Sequence, residues 1–219
     1  MTNRTYNQYC PLAHALDLVG ERWTLLIIRN LFHGPKRFSD LSRGLPSLGT
    51  NILTARLKEL EENGFIQSRF LPPPAASSVY ELTPYGQSLQ DVMVALSLWG
   101  MQSLGAPQVG QVFSTESVSL MLYMLFMPAV TSNLSGIFAV KIESELYNAD
   151  FWVKAHDAFI TVEQEVPGTP TLTLHTDLMT LGSLATSHLS YKEAVAKDLL
   201  RLDGSEAEIA SFLAHFETA

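Results

Sequence analysis

The chain has 219 residues, of which 47% are hydrophobic and 16% charged, with a formal net charge of -8. This composition excludes a disordered chain, and the length allows two domains of the usual size of about 100 to 150 residues. A single cysteine, Cys10, excludes an intrachain disulfide framework, and the most apolar run, residues 118–130, is shorter than a membrane span of about 20 residues. We therefore expect a cytoplasmic protein that has no membrane partner.

The first part of the chain alternates helical periodicity with turn residues. Gly20 separates the first two predicted helices, and Ser39 is the expected N-cap of the third. The fourth helix is expected to open near Ser47 and to end before Asn63-Gly64. The four predicted helices cover residues 11–18, 22–32, 40–43 and about 47–62.

A hairpin and a further helix follow. Two β-like runs, residues 65–71 and 79–82, are joined by the proline-rich segment 72–78, which is compatible only with a loop. Thr83 as N-cap and Pro84 as the first helical residue then open a helix with apolar residues at helical spacing. This order of elements predicts a winged helix-turn-helix domain over residues 1–105.

The second part of the chain has a different organisation. Residues 105–110 have the composition of a linker, so we place the domain boundary between residues 105 and 106. The predicted elements beyond it are a helix over residues 117–127, strands over 137–143, 151–154, 159–163 and 172–175, and two C-terminal helices. That order predicts an α+β domain over residues 106–219.

The balance of acidic and basic residues also differs between the two parts of the chain. Residues 1–105 carry nine Lys and Arg against eight Asp and Glu, whereas residues 106–219 carry five against fourteen. Between Arg22 and Lys58, seven basic residues accompany one acid, Asp40. Phosphate binding needs clustered Lys and Arg, so this segment predicts a nucleic-acid partner for the first domain.

The helix expected near Ser47 has two faces, because each helical residue advances by about 100°. Leu53, Leu57 and Leu60 form an apolar stripe, and the opposite face is polar. Small polar side chains near the start of a helix can reach base edges, and cations beside them can hold phosphates. The candidate base-reading residues are Ser47, Thr50, Asn51, Thr54 and Lys58, and the candidate phosphate contacts are Lys36, Arg37, Arg43, Arg56 and, on the hairpin, Arg69. A solvated helix face is the alternative that this helix leaves open.

Four stretches of the first domain, in this order and spacing, resemble the HxlR family of winged-helix regulators. They are Cys10-Pro11, GERWTLLIIRNLFHGPKRFSDL at 20–41, LTARLKELEENGFI at 53–66 and VYELTPYG at 79–86, and the resemblance covers roughly residues 8–100. It implies a homodimer built from the first and last helices of the domain. The paired recognition helices would read two half-sites of a double-stranded operator, about 34 Å apart. The predicted hairpin would be the wing of such a domain, and its uncharged tip is longer than is usual in the family.

Cys10 stands where redox-sensing members of the family keep their reactive cysteine. A helix N-terminus favours the thiolate form, so Cys10 is a redox candidate. With no second cysteine, such a switch would use an intersubunit or mixed disulfide or an adduct. The alternative is a small packing residue at a dimer interface.

Residues from about 114 to 216 resemble the sterol carrier protein fold. The stretch 157–216 holds a strand that ends in Thr176-Asp177, then two helices and a Leu202-Asp203-Gly204 turn. The fold implies an apolar ligand, such as a lipid, between sheet and helices. The candidate lining residues are Met121, Met124, Leu125, Met127 and Phe151, for which plain core packing is the alternative.

The sequence contains no catalytic motif, and its six histidines have no metal-ligand spacing, so we expect neither an enzyme nor a metal or cofactor. The leading interpretation is a homodimeric DNA-binding transcriptional regulator controlled by an apolar small ligand in the second domain. One alternative is a redox regulator switched at Cys10. Another is a lipid carrier whose first domain is a dimerisation module without DNA binding, an idea that the basic cluster between Arg22 and Lys58 argues against.

Overall fold

A computed structural model describes residues 5–74, 76–105, 111, 113–131, 133–144, 147–156, 159–164 and 168–216. The chain divides into two compact units, Met1–Met93 and Val94–Ala219. Of the expected linker, residues 105–110, all but Gly105 lie outside the described residues, so the boundary at 105/106 stays a prediction. Within the described part of the chain, every helix is too short or too polar to cross a membrane.

The first unit has the element order of a winged helix-turn-helix, as the sequence predicts. Leu53, Leu57 and Leu60 are buried against Ile27 and Ile28, which confirms the apolar stripe of the fourth helix. The elements are α1 (Pro11–Val19), α2 (Thr24–Leu31), α3 (Phe38–Gly44), α4 (Thr50–Glu62), β1 (Ile66–Leu71), β2 (Ser77–Leu82), α5 (Pro84–Gln87) and α6 (Gln90–Met101). The division between the two units falls within α6.

Three predicted helix starts of the first unit were wrong. Helix α2 begins at Thr24 and not at residue 22, because Trp23 before it has a left-handed backbone with φ 81°. Helix α3 begins at Phe38 with Arg37 as its N-cap, because the Asp40 carboxylate accepts the Arg37 amide at 3.1 Å, so Ser39 is a helical residue and not the cap. Helix α4 begins at Thr50 with Gly49 as its N-cap. The preceding residues form a turn held by the buried Leu45 and Leu48, whose backbones are bonded at 2.9 Å. Ser47 therefore lies in that turn and not on the helix.

The hairpin and the helix after it also differ in detail from the prediction. Strand β2 begins at Ser77, two residues inside the predicted loop, because Ser77 and Ser78 pair with Leu71 and Phe70. The helix that opens at Pro84 is interrupted after Gln87 and resumes as α6. At the break, the Leu89 amide donates to the Gly86 carbonyl in a tight turn.

The second unit confirms the α+β prediction. The described residues form a five-stranded sheet with the order β5-β4-β3-β6-β7, in which β3 and β6 are parallel and the other neighbours antiparallel. Within the same described ranges, three C-terminal helices follow where two were predicted, and Leu202-Asp203, predicted as a turn, lies in an edge strand. The elements are α7 (Thr115–Thr131), β3 (Gly136–Glu143), β4 (Asn148–His156), β5 (Phe159–Glu163), β6 (Leu172–Thr176), α8 (Leu178–Ala185), α9 (Tyr191–Ala196), β7 (Arg201–Asp203) and α10 (Glu206–Phe216).

Local hydrogen bonds explain where the last helices begin. The Asp177 carboxylate accepts the amides of Met179 and Thr180 and caps α8, as expected for a strand that ends in Thr176-Asp177. Ser190 and Glu193 form a capping box at the start of α9. These caps fix the helices that cover the core of the sheet.

Candidate functional site

Helix α4 presents a polar face to solvent. Asn51, Thr54 and Lys58 are exposed on the side opposite the buried leucine stripe. Thr50 is exposed at the first helical position, on the side of the leucines, and Ser47 is exposed in the turn before the helix. The Thr54 hydroxyl donates to the Thr50 carbonyl at 2.9 Å. The ammonium group of Lys58 lies 3.6 Å from the Glu62 carboxylate. The structure thus brings three of the five candidate base-reading residues, Asn51, Thr54 and Lys58, onto one helix face.

Three of the candidate phosphate contacts lie around helix α3. Lys36 is joined to the hairpin by two backbone bonds, in which its amide donates to the Tyr80 carbonyl and its carbonyl accepts the Tyr80 amide. Arg37 is exposed at the N-cap of α3. The guanidinium of Arg43 is exposed and lies 3.6 Å from Asp40. These side chains keep most of their surface toward solvent or, for Lys36, lie partly buried.

Arg56 has a different environment from the one predicted. Its side chain is only 18% exposed; one guanidinium nitrogen lies 3.1 Å from the Glu21 carboxylate, and another donates to Glu59. Glu21 and Glu59 stand immediately outside the basic segment Arg22 to Lys58, so a count over that segment leaves them out. The structure therefore does not place Arg56 on the exposed face with the other cations.

Arg69 on the hairpin is also paired. Its Nε donates to Glu81 at 2.7 Å, and Gln67 donates to the second oxygen of the same carboxylate at 2.8 Å. These two bonds hold the pKa of Glu81 below its usual range. The cross-strand pair ties β1 to β2 and neutralises the Arg69 charge.

The link between α4 and the hairpin was missed by the sequence reasoning. The Ser68 amide and hydroxyl both donate to Oε1 of Glu61, at 2.9 and 2.7 Å. This carboxylate joins the last turn of α4 to the first strand of the hairpin. The only sequence signal is an acid shortly before the Asn63-Gly64 turn, which is too common a pattern to identify the contact.

The geometry of the hairpin base depends on the segment that follows β2. The Thr83 amide donates to the Phe65 carbonyl at 3.0 Å, and the Thr83 hydroxyl accepts the Gly86 amide at 3.1 Å. Tyr85 stacks on Phe65 with ring centroids 4.7 Å apart. Thr83 and Pro84 therefore open a helix, as predicted, and also anchor the hairpin.

Cys10 is the N-cap of α1, with Pro11 as the first helical residue, and its side chain is partly exposed. The structure thus places the thiol at a helix start, where the sequence analysis put it. Its role as a redox switch stays a prediction.

Helices α1 and α6 carry exposed apolar side chains. Leu12 and Leu16 are exposed on α1, and Val92, Leu96 and Trp99 are exposed on α6, with Trp99 69% accessible. Isolated exposed leucines are ordinary, but several on one helix are typical of an interaction surface.

The candidate ligand residues of the second unit are only partly brought together. Leu125 and Phe151 belong to the core beneath the sheet, and Met121 packs against that core. Met124 is buried outside this cluster, and Met127 is partly buried. Across the described ranges, no three His, Cys, Asp or Glu side chains are grouped as a metal site would require.

Comparison with known proteins places the first part of the chain in a family. A family model described as HxlR-like helix-turn-helix matches residues 18–108. The HTH-type transcriptional regulator YodB of Bacillus subtilis is 38% identical over 97 residues, which are 44% of this chain and 87% of YodB. The uncharacterized HTH-type transcriptional regulator YtcD of the same organism is 31% identical over 121 residues, 55% of this chain and 94% of YtcD. Among solved structures, the reduced form of YodB covers 45% of this chain and 100% of its own, at 36% identity and a TM-score of 0.41.

Proposed function

This chain belongs to the HxlR-like helix-turn-helix family of DNA-binding transcriptional regulators, and from that premise we propose that it works as a cytoplasmic homodimer that reads an operator with helix α4. The observation that carries the proposal is the exposed polar face of α4 opposite a buried leucine stripe. A helix buried on one face and polar on the other can enter the major groove without losing its own packing.

We assign base reading to the N-terminal half of that face. The Asn51 side chain carries both a donor and an acceptor, which matches the N6 and N7 edge of adenine. Thr54 supplies a small hydroxyl group on the same face, and Thr50 and Ser47 precede it at the start of the helix and in the turn before it. Lys58 lies one turn further along and suits a phosphate as well as a base.

Phosphate contacts are assigned to Lys36, Arg37 and Arg43. Arg56 and Arg69 are left out of this set, because each already pairs with a carboxylate at hydrogen-bond distance. The negative charge of the carboxylate offsets that of the arginine and so weakens its attraction for a phosphate. The proposed contact set is therefore smaller than the one that the sequence predicts.

The homodimer is assigned to α1 and α6. Two leucines on α1 and the Val92, Leu96 and Trp99 side chains on α6 are exposed apolar groups that a second copy could bury. Two copies related by a two-fold axis would carry two recognition helices, as a palindromic operator requires.

Replacing Asn51 with alanine should weaken binding to the specific duplex by about 2 kcal/mol, while binding to random DNA stays nearly unchanged. The reason is that the amide is assigned to a base edge and not to a phosphate. Fluorescence anisotropy on a duplex selected from a random library by the full-length protein measures both affinities.

Asn63, an exposed asparagine at the C-cap of the same helix, supplies the matched control, and Asn63→Ala should bind both duplexes like the wild type. An equal loss of affinity for selected and random DNA in Asn51→Ala would remove Asn51 from base reading.

Control by an apolar ligand in a sterol-carrier-like second unit also belongs to the proposal. Methionines on α7 support it, since their flexible side chains adapt to varied apolar ligands. A ligand that binds only the folded chain at tenfold excess over Kd would stabilise it by about 1.4 kcal/mol. Calorimetric melting of the full-length protein with a fatty acid, and with a short-chain acid as control, tests this; identical melting curves would leave the second unit without a ligand role.

A further inference from the structure

A cleft of about 320 Å³ lies in the first unit at the base of the hairpin formed by β1 and β2, which is called the wing below. Its volume is at the lower end of the range for small-molecule sites, about 300 to 1,000 Å³. The end of α2, the turn after it, the end of β2, α5 and the start of α6 surround it. Its lining combines apolar and polar side chains, among them Leu31, Phe32, Pro35, Glu81, Gln87 and Gln90.

Leu82, which also lines the cleft, presents an unpaired strand edge. The Thr83 amide bonds to the Phe65 carbonyl, so the neighbouring pair, Leu82 and Ile66, is a non-hydrogen-bonded pair of the antiparallel ladder. The amide and the carbonyl of Leu82 therefore point away from β1. Within the described part of the chain, neither group has a hydrogen-bond partner, although Leu82 is only 8% exposed.

The pairing that would cover this edge stops before it reaches Leu82. The amide and carbonyl of Lys36 bond to Tyr80 at 2.9 and 2.8 Å, on the side of β2 that faces away from β1. Continued in register, this pairing would bring Gly34 opposite Leu82. The Gly34 amide instead donates to the Leu31 carbonyl at 3.2 Å, from a left-handed backbone with φ 97°. The chain thus leaves the cleft between Gly34 and Leu82, both of which line it.

The lining of the cleft has little net charge. Among the described residues around it, none has a cationic side chain, and the one acid is Glu81. Arg69 and Gln67 already donate to the two oxygens of that carboxylate, at 2.7 and 2.8 Å. Gln87 and Gln90 each carry a side-chain amide, which both donates and accepts hydrogen bonds. The cleft therefore favours a neutral ligand that has donors and acceptors of its own.

We propose that this cleft binds a small neutral ligand of the N-acyl amino-acid amide class. The ligand's N–H and C=O groups pair with the carbonyl and amide of Leu82, as the next residue of a strand would, and its side chain packs against the apolar lining. A backbone group that is shielded from water without a partner costs about as much free energy as a lost hydrogen bond, so pairing both groups favours binding. Extended peptides bind open sheet edges through the same main-chain bonds. The site lies outside α4 and the second unit, so it depends neither on the proposed DNA reading nor on the proposed apolar ligand.

The experiment measures hydrogen exchange of the Leu82 amide by NMR in the full-length protein, with N-acetylleucinamide as the probe and calorimetric titration to give its Kd. Bound ligand slows exchange by the factor 1 + [L]/Kd, so we expect exchange about elevenfold slower at ten times Kd. The Tyr80 amide, which is already bonded to Lys36, should exchange at an unchanged rate.

A matched compound tests the main-chain pairing. N-acetyl-N-methylleucinamide has nearly the same shape but lacks the N–H that would donate to the Leu82 carbonyl. It should bind about tenfold more weakly, the effect of one lost hydrogen bond. At the concentration used for the first probe, it should therefore slow the Leu82 exchange only about twofold.

A matched pair of variants tests the location. Gln87 is exposed on α5, and Gln87→Trp places a large ring in the cleft, so this variant should lose binding of N-acetylleucinamide while its thermal melting stays at the wild-type temperature. Gln102, an exposed glutamine outside the cleft, supplies the control, and Gln102→Trp should bind the probe like the wild type.

Absence of both binding heat and slowed Leu82 exchange in the wild type would overturn the proposal. Equal affinity for the two compounds would overturn the pairing with Leu82, and full binding by Gln87→Trp would place the probe outside the cleft. A change of oligomeric state in Gln87→Trp that Gln102→Trp does not share, measured by light scattering, would overturn the ligand site in favour of a contact between copies of the chain.

Discussion

Replacing Gly86 with alanine should lower the free energy of unfolding by about 3 kcal/mol, the upper part of the range for an overpacked site. A Cβ at this position would lie 2.0 Å from the Phe65 carbonyl oxygen and 3.0 Å from its carbonyl carbon. Both atoms belong to the backbone, so no side chain can rotate away. Relief requires α5 to move from the base of the wing, against the Thr83 to Phe65 hydrogen bonds. Urea unfolding followed by circular dichroism measures the loss.

Gly100→Ala is the matched control. Gly100 lies within helix α6, and a Cβ there would meet nothing within 4 Å. Alanine is the better helix former, so this change should leave stability unaltered or raise it by up to about 1 kcal/mol. If the two glycine variants unfold at the same urea concentration, the close approach of α5 to Phe65 does not constrain the fold.

Periodicity in the sequence was enough to predict the faces of α4 but not its start. Leucines at positions 53, 57 and 60 recur at helical spacing, and all three are buried. The start of the helix depends instead on Leu45 and Leu48, which are buried by other elements and hold the preceding residues in a turn. Because that burial is tertiary, no local pattern separates Ser47 from the helix.

Short elements of the second unit were missed for a related reason. Strand β7, Arg201–Asp203, has three residues and charged side chains at both ends, so it lacks the alternation by which a strand is recognised. It forms a strand because its backbone pairs antiparallel with β6. Strands β3, β5 and β6 were predicted close to their observed bounds, whereas β4, Asn148–His156, extends beyond the predicted run 151–154 at both ends.

Ion pairs between distant residues lie beyond sequence reasoning of this kind. Glu21 meets Arg56 across a separation of 35 residues, and Glu81 meets Arg69 across 12. A count of charges along the chain treats all four groups as independent. The fold buries most of Arg56 and pairs Arg69, which stays exposed, with Glu81.

Arg56→Met should therefore destabilise the fold by about 1 kcal/mol, because the guanidinium is largely buried but the Glu21 and Glu59 carboxylates that it would leave without a partner are exposed to solvent. The guanidinium joins α4 to the residues that precede α2, so its loss frees the recognition helix from that anchor. Urea unfolding gives the stability, and titration of the selected duplex over a range of salt concentrations gives the affinity and its salt dependence.

The salt dependence separates an anchor from a phosphate contact. In Arg56→Met the affinity for the selected duplex should fall while the slope of log K against log salt stays at the wild-type value, because no phosphate contact is lost. Arg37→Ala, which removes an exposed cation assigned to a phosphate, should instead reduce that slope by about 1 with little change in stability.

Glu21→Gln removes the charge of the acid that pairs with Arg56 and should follow Arg56→Met in direction, with a smaller loss of stability. A reduced slope in Arg56→Met, together with wild-type stability, would return Arg56 to the set of phosphate contacts and contradict its role as the anchor of α4.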